Sequence, residues 1–221
     1  MKKIKKWYVP DYDTHYEEYF SINETGEYQK EPRDFALEKV ENFRTALDIG
    51  GNVGFWSRDL CKLFETVHIF EPESSNVECL KVNLQDYNNH IIHEIGLGNN
   101  FEDRDFYKST STSGGHTLNP KHVKNKNHVV KQLLKIAPLD SYHFEHVDFI
   151  KIDTQGSELD ILAGAVDTLK NNDCVVNIEI EQKHKHQVEE GKPIFQFMKD
   201  LGFKLLKRYK RDEVLFAKRK A

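Results

Sequence analysis

The stretch that most constrains this chain is residues 46–56, Ala-Leu-Asp-Ile-Gly-Gly-Asn-Val-Gly-Phe-Trp. A short apolar run stops at a glycine-rich turn, and a helical pattern begins after it. Glycines permit positive φ angles and let a ligand approach the backbone, and a helix start offers free N–H groups. The stretch predicts a strand, a ligand-binding loop and a helix N-terminus. A tight strand-to-helix turn that needs glycine only for its geometry would explain the same residues.

Length and composition predict one domain of the α/β class. The chain has 221 residues, of which 38% are hydrophobic and 31% charged, enough to bury a sizeable core. Its formal net charge of −4 disfavours general attraction to nucleic acid. The C-terminal end is locally basic, a pattern that most often marks a solvated surface. Its basic residues are Lys204, Lys207, Arg208, Lys210, Arg211, Lys218, Arg219 and Lys220.

The cysteines Cys61, Cys79 and Cys174 are odd in number and widely spaced. They predict neither a disulfide framework nor a zinc site, and they fit a reducing compartment, so we expect a cytoplasmic protein. The basic start Met-Lys-Lys-Ile-Lys-Lys is followed by residues too polar for a signal peptide. Since no stretch approaches about 18 consecutive apolar residues, no membrane span is expected.

The beginning of the chain is rich in aromatic side chains, namely Trp7, Tyr8, Tyr12, Tyr16, Tyr19, Phe20 and Tyr28. This composition is too aromatic for a disordered tail and too irregular to predict a helix. We therefore expect an N-terminal extension, residues 1–31, that packs on the remainder of the chain or covers it as a lid. The main domain is then residues 32–221.

Hydrophobic periodicity predicts alternating strands and helices in the main domain. The five predicted inner strands are residues 45–49, 66–70, 91–95, 147–152 and 174–180. The predicted helices are one with Pro32 in its first turn, then residues 55–64, 73–87, 157–169 and 194–201. Strands and helices that alternate in this way predict parallel βαβ units.

The end of the chain breaks this alternation, because residues 203–206 and 214–217 predict an antiparallel hairpin. Five parallel strands followed by such a hairpin are the layout expected of a class I methyltransferase. That fold is Rossmann-like α/β, with a mostly parallel seven-stranded sheet, a C-terminal antiparallel hairpin and helices on both faces. A nicotinamide-binding domain would instead continue in parallel units.

The middle of the chain, residues 99–128, is less regular and follows a predicted turn at residues 96–98. At its centre, Ser109-Thr-Ser-Thr-Ser-Gly-Gly-His116 predicts a mobile surface loop of the kind that often carries binding residues. An additional strand is expected at residues 129–136.

Two carboxylates bear on the ligand of the glycine-rich turn. The spacing Gly50-x-x-x-Gly54 lacks the Gly-x-Gly-x-x-Gly order of dinucleotide sites, and no Gly-Lys-Ser/Thr follows. Asp48 would repel a pyrophosphate but attract the ammonium and sulfonium groups of S-adenosylmethionine, whose amino-acid end the Asn52 amide can bond. Glu71, after the second strand, can accept both ribose hydroxyls, although an acidic residue is also favourable at a helix N-terminus.

Four separated blocks resemble the FkbM family of S-adenosylmethionine-dependent methyltransferases. They are Asp48-Ile-Gly-Gly-Asn-Val-Gly54, Phe70-Glu-Pro72 with Asn83-Leu84, Leu139-Asp-Ser141, and Lys151-Ile-Asp-Thr-Gln-Gly-Ser-Glu158 with Leu162-Ala-Gly-Ala165. They occur in order within residues 33–205. The chain departs from the family pattern at Gly51, where alanine is common, and at Gln155, where glutamate is frequent. The resemblance implies O-methylation, commonly of sugar or polyketide hydroxyls.

The expected cofactor is S-adenosylmethionine, and no metal site is predicted. The residues expected to bind the cofactor are Asp48, Gly50, Gly51, Asn52, Gly54, Phe55, Glu71, Pro72, Gly96, Leu97 and Asp153. As proton acceptor we rank Asp153 first, His116 second and Glu181 third. Asp153 and Glu181 follow the fourth and fifth strands, where open α/β sheets bind ligands, and His116 has a suitable ordinary pKa.

Charged residues also lie within the predicted strands. Lys151 and Asp153 share one face of the fourth strand, and Glu179 and Glu181 share one face of the fifth. Because a buried charge is costly unless it is paired, we predict that Lys151 pairs with Glu179.

These observations predict an S-adenosylmethionine-dependent O-methyltransferase that acts on a hydroxyl of a sugar or glycan-like acceptor. One alternative is an RNA methyltransferase that uses the basic C-terminal end for phosphate contacts. It is less favoured because the fourth strand ends in Asp-Thr-Gln-Gly and not in the Asn/Asp-Pro-Pro-Tyr/Phe block of enzymes that methylate exocyclic amines. Another alternative is a non-catalytic module that binds S-adenosylmethionine. Asp48 and the hairpin disfavour an NAD-dependent oxidoreductase.

Overall fold

The chain forms three β-sheets and seven α-helices over the part described by the computed structural model, which is residues 1–23, 25–123, 128–180, 193–209 and 213–218. In chain order, the strands are β1 (Lys2–Ile4), β2 (Trp7–Val9), β3 (Thr45–Ile49), β4 (Thr66–Phe70), β5 (His90–His93), β6 (Gly96–Leu97), β7 (Glu102–Ser109), β8 (Val129–Ala137), β9 (Val147–Ile152), β10 (Val175–Glu179), β11 (Phe203–Arg208) and β12 (Glu213–Lys218). The helices are α1 (His15–Ile22), α2 (Lys30–Leu37), α3 (Ser57–Leu60), α4 (Ser74–Asn83), α5 (Glu158–Ala163), α6 (Val166–Asn171) and α7 (Pro193–Asp200).

Seven strands form the central sheet, in the order β11-β12-β10-β9-β3-β4-β5. The strands from β10 to β5 in this order run parallel, and β12 is antiparallel to both of its neighbours. This arrangement confirms the predicted mostly parallel sheet with a C-terminal antiparallel hairpin. It also brings β3 and β9 side by side, so that their carboxyl ends meet at one edge of the sheet.

Strand β9 shows why the centre of the sheet is encoded by an apolar run. All six of its residues are buried, because helices cover both faces of a parallel sheet. Ile150 belongs to a core that contains apolar residues of α5, α6 and α7. Phe149, its neighbour in sequence, belongs to a second core with residues of α2, α3 and α4. The prediction of helices on both faces is therefore confirmed.

A separate three-stranded sheet has the order β6-β8-β7. The additional strand expected at residues 129–136 is β8, but residues 102–109, predicted as part of an irregular loop, form its partner β7. The strand escaped prediction because it is mostly polar and buries only Phe106 and Ser109. The predicted turn at residues 96–98 likewise contains a short strand, β6, which pairs with the end of β8.

Several helices differ in length from the predicted ones. Residues 55–64 contain only the short helix α3, and residues 157–169 divide into α5 and α6. The division follows from Asp140, whose carboxylate accepts the N–H groups of Asp167 and Thr168 at 2.9 and 2.7 Å and so caps a new helix. None of the helices in the described ranges is long and apolar enough to cross a membrane.

The N-terminal extension packs on the main domain through a hairpin, β1–β2, and helix α1. The side chain of Asn83 bonds to both backbone groups of Tyr8, with its Oδ1 accepting the N–H and its Nδ2 donating to the carbonyl, each at 2.8 Å. Trp7 and Phe20 are buried in a small core with Phe55. The aromatic residues of the extension therefore anchor it, whereas its role as a lid stays a prediction.

Gly164, between α5 and α6, lies against the turn that follows β6. A Cβ atom at Gly164 would overlap the carbonyl group of Gly98, whereas a Cβ atom at Gly202 would meet nothing within 4 Å and is opposed only by a φ of +85°. We expect G164A to lower the free energy of unfolding by about 2–3 kcal/mol through overpacking, and G202A by about 1 kcal/mol. Urea denaturation measures both values. Equal losses of unfolding free energy in the two variants would contradict the overpacking at Gly164, because the turn after β6 would then shift at little cost.

Candidate functional site

A cavity opens at the edge of the central sheet where β3, β4 and β9 end. Its volume is about 930 Å³, including the open mouth, a usual size for small-ligand sites. Carboxyl ends of parallel strands are also where open α/β sheets bind ligands. The predicted site residues found on its wall are Gly50, Gly51, Asn52, Phe55, Glu71, Pro72, Gly96, Leu97, His116 and Asp153.

The glycine loop, which we define as residues 50–54, is held by its own backbone N–H groups. The bonds run from Gly50 N and Gly51 N to Phe70 O (2.9 and 3.1 Å), from Gly54 N to Gly51 O (2.9 Å), from Asn52 N to Glu71 Oε2 (2.8 Å) and from Val53 N to Asn52 Oδ1 (2.6 Å). These five N–H groups are therefore not free, whereas the free N–H groups expected at the helix start that follows stay a prediction. The loop lets a ligand come close, but its donors are already bonded within the protein.

Two glycines of the loop are required by their surroundings. Gly50 has a φ of +80°, and a Cβ atom there would overlap the carbonyl group of Asp153. A Cβ atom at Gly51 would overlap the side chain of Ile69 on β4. The glycine at position 51, where the resembling family often has alanine, is thus matched to the isoleucine beneath it.

Asp48 and Gly54 lie behind the cavity wall. The Asp48 carboxylate is fully buried, accepts a 2.5 Å hydrogen bond from Ser57 Oγ and lies 3.4 Å from the Lys151 ammonium group. Gly54 packs against Leu80 of α4. The direct contact of either residue with a ligand stays a prediction. What the structure shows is that Asp48 holds Ser57 and Lys151 in place.

Glu71 follows β4 and presents a buried carboxylate to the cavity. Its two oxygens accept the N–H groups of Asn52 (2.8 Å) and Glu73 (2.9 Å). Burial raises the pKa of Glu71 to about 7, against the lowering effect of these two hydrogen bonds. A carboxylate has about four acceptor sites, and since Oε1 also faces Asn76 Nδ2 at 3.5 Å, Oε2 is the oxygen that keeps capacity for a ligand hydroxyl.

Asp153 also lines the cavity, just beyond the end of β9. Its Oδ1 accepts a 3.1 Å hydrogen bond from Gln155 Nε2, and its Oδ2 is 3.7 Å from Lys151 Nζ. The same Nζ donates to Gly50 O at 2.8 Å. Burial lowers the pKa of Lys151, but Asp48 and Asp153 outweigh it and raise that pKa above its ordinary value. Lys151 is therefore a permanent cation between two carboxylates.

Glu179, at the end of β10, was predicted to pair with Lys151, and this is wrong. The register aligns Lys151 with Asn177 and not with Glu179, and the ammonium group reaches towards β3 and the end of its own strand. Glu179 Oε2 accepts a 2.9 Å hydrogen bond from Gln29 Nε2. Burial and the neighbouring Asp153 carboxylate raise the pKa of Glu179 well above its ordinary value.

His116 is buried. The prediction that residues 109–116 form a surface loop is therefore wrong at residue 116. Its Nδ1 accepts the N–H of Ser109 at 3.0 Å, and its Nε2 lies 3.3 Å from the hydroxyl of Tyr12. Burial lowers the pKa of His116 to about 4. A neutral imidazole that accepts at Nδ1 carries its proton on Nε2, which leaves no lone pair for a substrate proton. This arrangement argues against His116 as a base.

The extension supplies residues to the cavity that its sequence pattern did not indicate. Tyr16 and Tyr28 are on the wall. The amide of Gln29 links two residues of the main domain. Its Oε1 accepts the indole N–H of Trp56 at 2.6 Å, and its Nε2 donates to Glu179 Oε2. The aromatic composition of residues 1–31 was the only signal of this contribution.

Glu181, the third-ranked proton acceptor, lies outside the described residues. Within the described part of the chain, no group of three or more histidine, cysteine, aspartate or glutamate residues is placed to hold a metal ion.

A family model described as the methyltransferase FkbM domain matches residues 48–205. The chain belongs to the FkbM methyltransferase family. The match spans the glycine loop, Glu71 and Asp153, and it confirms the resemblance and the assignment as an S-adenosylmethionine-dependent methyltransferase. No curated protein sequence matches this chain.

Solved structures share the fold at low sequence identity. The methyltransferase FkbM from Methylobacillus flagellatus KT has a TM-score of 0.55 at 19% identity, covering 79% of this chain and 43% of that one. An rRNA methylase from Streptococcus thermophilus has a TM-score of 0.50 at 13% identity, covering 86% and 95%. Magnesium protoporphyrin IX methyltransferase from Synechocystis PCC 6803, solved with bound S-adenosylmethionine, has a TM-score of 0.51 at 9% identity, covering 86% and 77%. At these identities the likeness shows the class I methyltransferase fold alone.

The structure makes Lys151 the residue whose loss should destabilise the site most. We expect K151M to lower the free energy of unfolding by about 3–5 kcal/mol, because it leaves the buried Asp48 carboxylate without a counter-ion. The matched control is K131M, which removes an exposed ion pair with Asp105 at 2.7 Å and should cost at most about 1 kcal/mol. Urea denaturation of both variants decides. A loss at K151M no larger than at K131M would contradict the buried network.

Proposed function

We propose that the cavity binds S-adenosylmethionine and that the enzyme methylates a hydroxyl of a sugar or glycan-like acceptor. The observation that carries the proposal is the placement of two carboxyl groups on the wall of one cavity, at the ends of the two strands that flank β3. Glu71 lies beyond β4, beside the glycine loop, and Asp153 lies beyond β9, beside Lys151. The first is suited to a ribose diol and the second to a hydroxyl proton.

The chemistry of the wall fits this cofactor. The N–H groups of residues 50–54 are bonded internally, so the glycine loop offers no ready donors for a pyrophosphate, whereas a loop that binds phosphates leaves such donors free. Gly50 and Gly51 line the cavity without a side chain that would stand between the loop backbone and a ligand. Glu71 would accept the ribose hydroxyls, and Asn52, Pro72, Gly96 and Leu97 would line the adenosyl and amino-acid parts.

The acceptor side is built around Asp153. Bound S-adenosylmethionine supplies a methyl group on a positively charged sulfur. The residues of this chain position the acceptor hydroxyl and take its proton, for which Asp153 is the candidate base. Lys151 and Gln155 hold its two oxygens in place.

A carbohydrate-like acceptor fits the remaining wall. Tyr16, Tyr28 and Phe55 offer aromatic surface for the apolar face of a sugar ring, and the polar ends of Thr154 and Gln155 can bond its hydroxyls. The resemblance in sequence, which implies methylation of sugar or polyketide hydroxyls, points to the same class of acceptor.

The RNA alternative relied on the basic C-terminal end, and most of its described basic residues already have partners. Lys207 lies over the rings of Phe35 and Tyr209, Arg208 over that of Phe195, and Lys218 donates to the carbonyls of Leu169 and Asn172. These contacts leave fewer free cations for a phosphate backbone.

The proposal is tested by calorimetry with S-adenosylmethionine and NAD, followed by transfer of a labelled methyl group onto sugars, glycolipids and RNA. We expect binding of S-adenosylmethionine, no binding of NAD, and label on a hydroxylated carbohydrate. Label on RNA alone would overturn the acceptor class. Binding without transfer to any acceptor would favour a non-catalytic module, and tight NAD binding without S-adenosylmethionine binding would refute the proposal as a whole.

Cofactor affinity should depend on pH through Glu71. Ribose hydroxyls favour the ionised carboxylate, whose pKa in the free protein is raised to about 7. Affinity should therefore be highest above pH 7 and fall as the pH drops through it, by up to about tenfold per pH unit. In E71Q the affinity should be weaker and nearly constant from pH 6 to 8. Calorimetry across this range tests the assignment, which a flat wild-type profile would contradict.

Asp153 should matter for transfer more than for binding. Because the proposed base acts on the acceptor hydroxyl, D153N should lower the methyl-transfer rate by about 10²–10⁴-fold. Lys151 keeps Asp48 as a counter-ion in this variant, so the fold should persist. The control is D105N. Asp105 lies on β7, has an exposed side chain and is not part of the cavity wall, so this substitution should leave the rate unchanged. Unaltered transfer by D153N would remove Asp153 from the mechanism.

A further inference from the structure

Two buried polar side chains on the cavity wall have unused hydrogen-bonding atoms. Asn76, in the first turn of α4, is 1% exposed, and Ser113 is 2% exposed. Both residues line the cavity. Asn76 Oδ1 and Ser113 Oγ have no hydrogen-bond partner among the described residues. Buried polar atoms in native proteins are nearly always bonded, so two neighbouring exceptions in one cavity indicate a ligand.

The orientation of the Asn76 amide is fixed by its neighbours. Its Nδ2 faces two acceptors, Glu71 Oε1 at 3.5 Å and Ser113 O at 3.3 Å. The opposite orientation would place the amide oxygen against these same acceptors, which is unfavourable. The unused atom is therefore an acceptor, and it belongs to the same amide group that contacts the Glu71 carboxylate.

Ser113 is held at this place from three directions. Its carbonyl accepts Asn52 Nδ2 at 2.9 Å as well as Asn76 Nδ2, and its N–H donates to Asp13 Oδ2 at 2.5 Å. The glycine loop, α4 and the extension thus converge on one serine. Its hydroxyl is the group that these contacts leave unbonded.

We propose that Asn76 and Ser113 complete, with Glu71, a site that reads the two ribose hydroxyls of the cofactor. This inference rests on the proposed function. The Glu71 carboxylate and Asn76 Oδ1 each accept one O–H, and the Ser113 hydroxyl donates to a ribose oxygen. Two acceptors and one donor match a vicinal diol, which offers two O–H donors and free lone pairs. A phosphate on either hydroxyl would meet the Glu71 carboxylate, so the site also selects an unphosphorylated ribose.

The test is calorimetry with S-adenosylhomocysteine and with three analogues that lack the 2′-hydroxyl, the 3′-hydroxyl or the 6-amino group. We expect N76A and S113A each to weaken binding of the parent compound by roughly tenfold, the usual effect of removing one partner of a buried hydrogen bond. Each variant should bind one of the two deoxy analogues about as well as the wild type does. The matched control is S111A, in the same loop but off the cavity wall, which should bind every compound normally.

Thermal unfolding without ligand separates ligand contact from folding. S113A removes a hydroxyl that has no partner in the protein and keeps the backbone bonds of residue 113 to Asn52, Asn76 and Asp13, so the unfolding midpoint of ligand-free S113A should be no lower than that of the wild type. A variant that binds more weakly without losing stability supports the proposal.

Three results would overturn it, and they can be told apart. Equal weakening of N76A towards the parent and both deoxy analogues means that Asn76 acts on the structure alone. A loss that disappears only with the analogue lacking the 6-amino group assigns Asn76 to the adenine ring. In both cases wild-type binding upholds the proposed function. If the wild type binds none of the compounds, the proposed function and this inference fail together.

Discussion

The ammonium group of Lys151 is the contact on which the cavity depends. It arises from the central strand β9 and meets the glycine loop at Gly50 O, the buried carboxylate of Asp48 and the end of its own strand at Asp153. A buried charge without a partner costs several kcal/mol. The loop and the strand end, 101 residues apart at this hydrogen bond, therefore reach their positions together, and a wall assembled from distant segments behaves as one unit.

Local pattern was sufficient to predict most of the sheet, because a strand covered on both faces is encoded as a continuous apolar run. It failed at β7, whose alternating polar residues cover little of the core. Alternation along a strand also shows on which face a side chain lies, but not which neighbour its far end reaches. This is why Lys151 was assigned to Glu179 and not to Asp48. The burial of His116 had no local signal, since it depends on contacts with Tyr12 and Ser109 that only the folded chain brings together.

The glycine loop illustrates how similar turns select different ligands. Where such a turn keeps its N–H groups free, it attracts anions. Here those groups are bonded to Phe70 O, to the loop itself and to the Glu71 carboxylate, and Glu71 and Asp153 line the same cavity. The space above the loop is therefore suited to a ligand with positive charge and hydroxyl groups. The sequence shows the glycines, but it does not show which acceptors their backbone N–H groups bond to.

The family match begins at residue 48, yet Tyr16, Tyr28 and Gln29 precede it and still shape the cavity. The extension contributes Tyr16 and Tyr28 to the wall and holds Glu179 through Gln29, while Glu71 and the glycine loop belong to the matched domain. The extension also reaches the matched domain through Asp13, which accepts the N–H of Ser113. Replacement of the first 31 residues would therefore change part of the cavity wall and one of the contacts that hold Ser113. Differences among relatives in this part of the cavity wall should therefore be sought in the residues before position 48, where the family match begins.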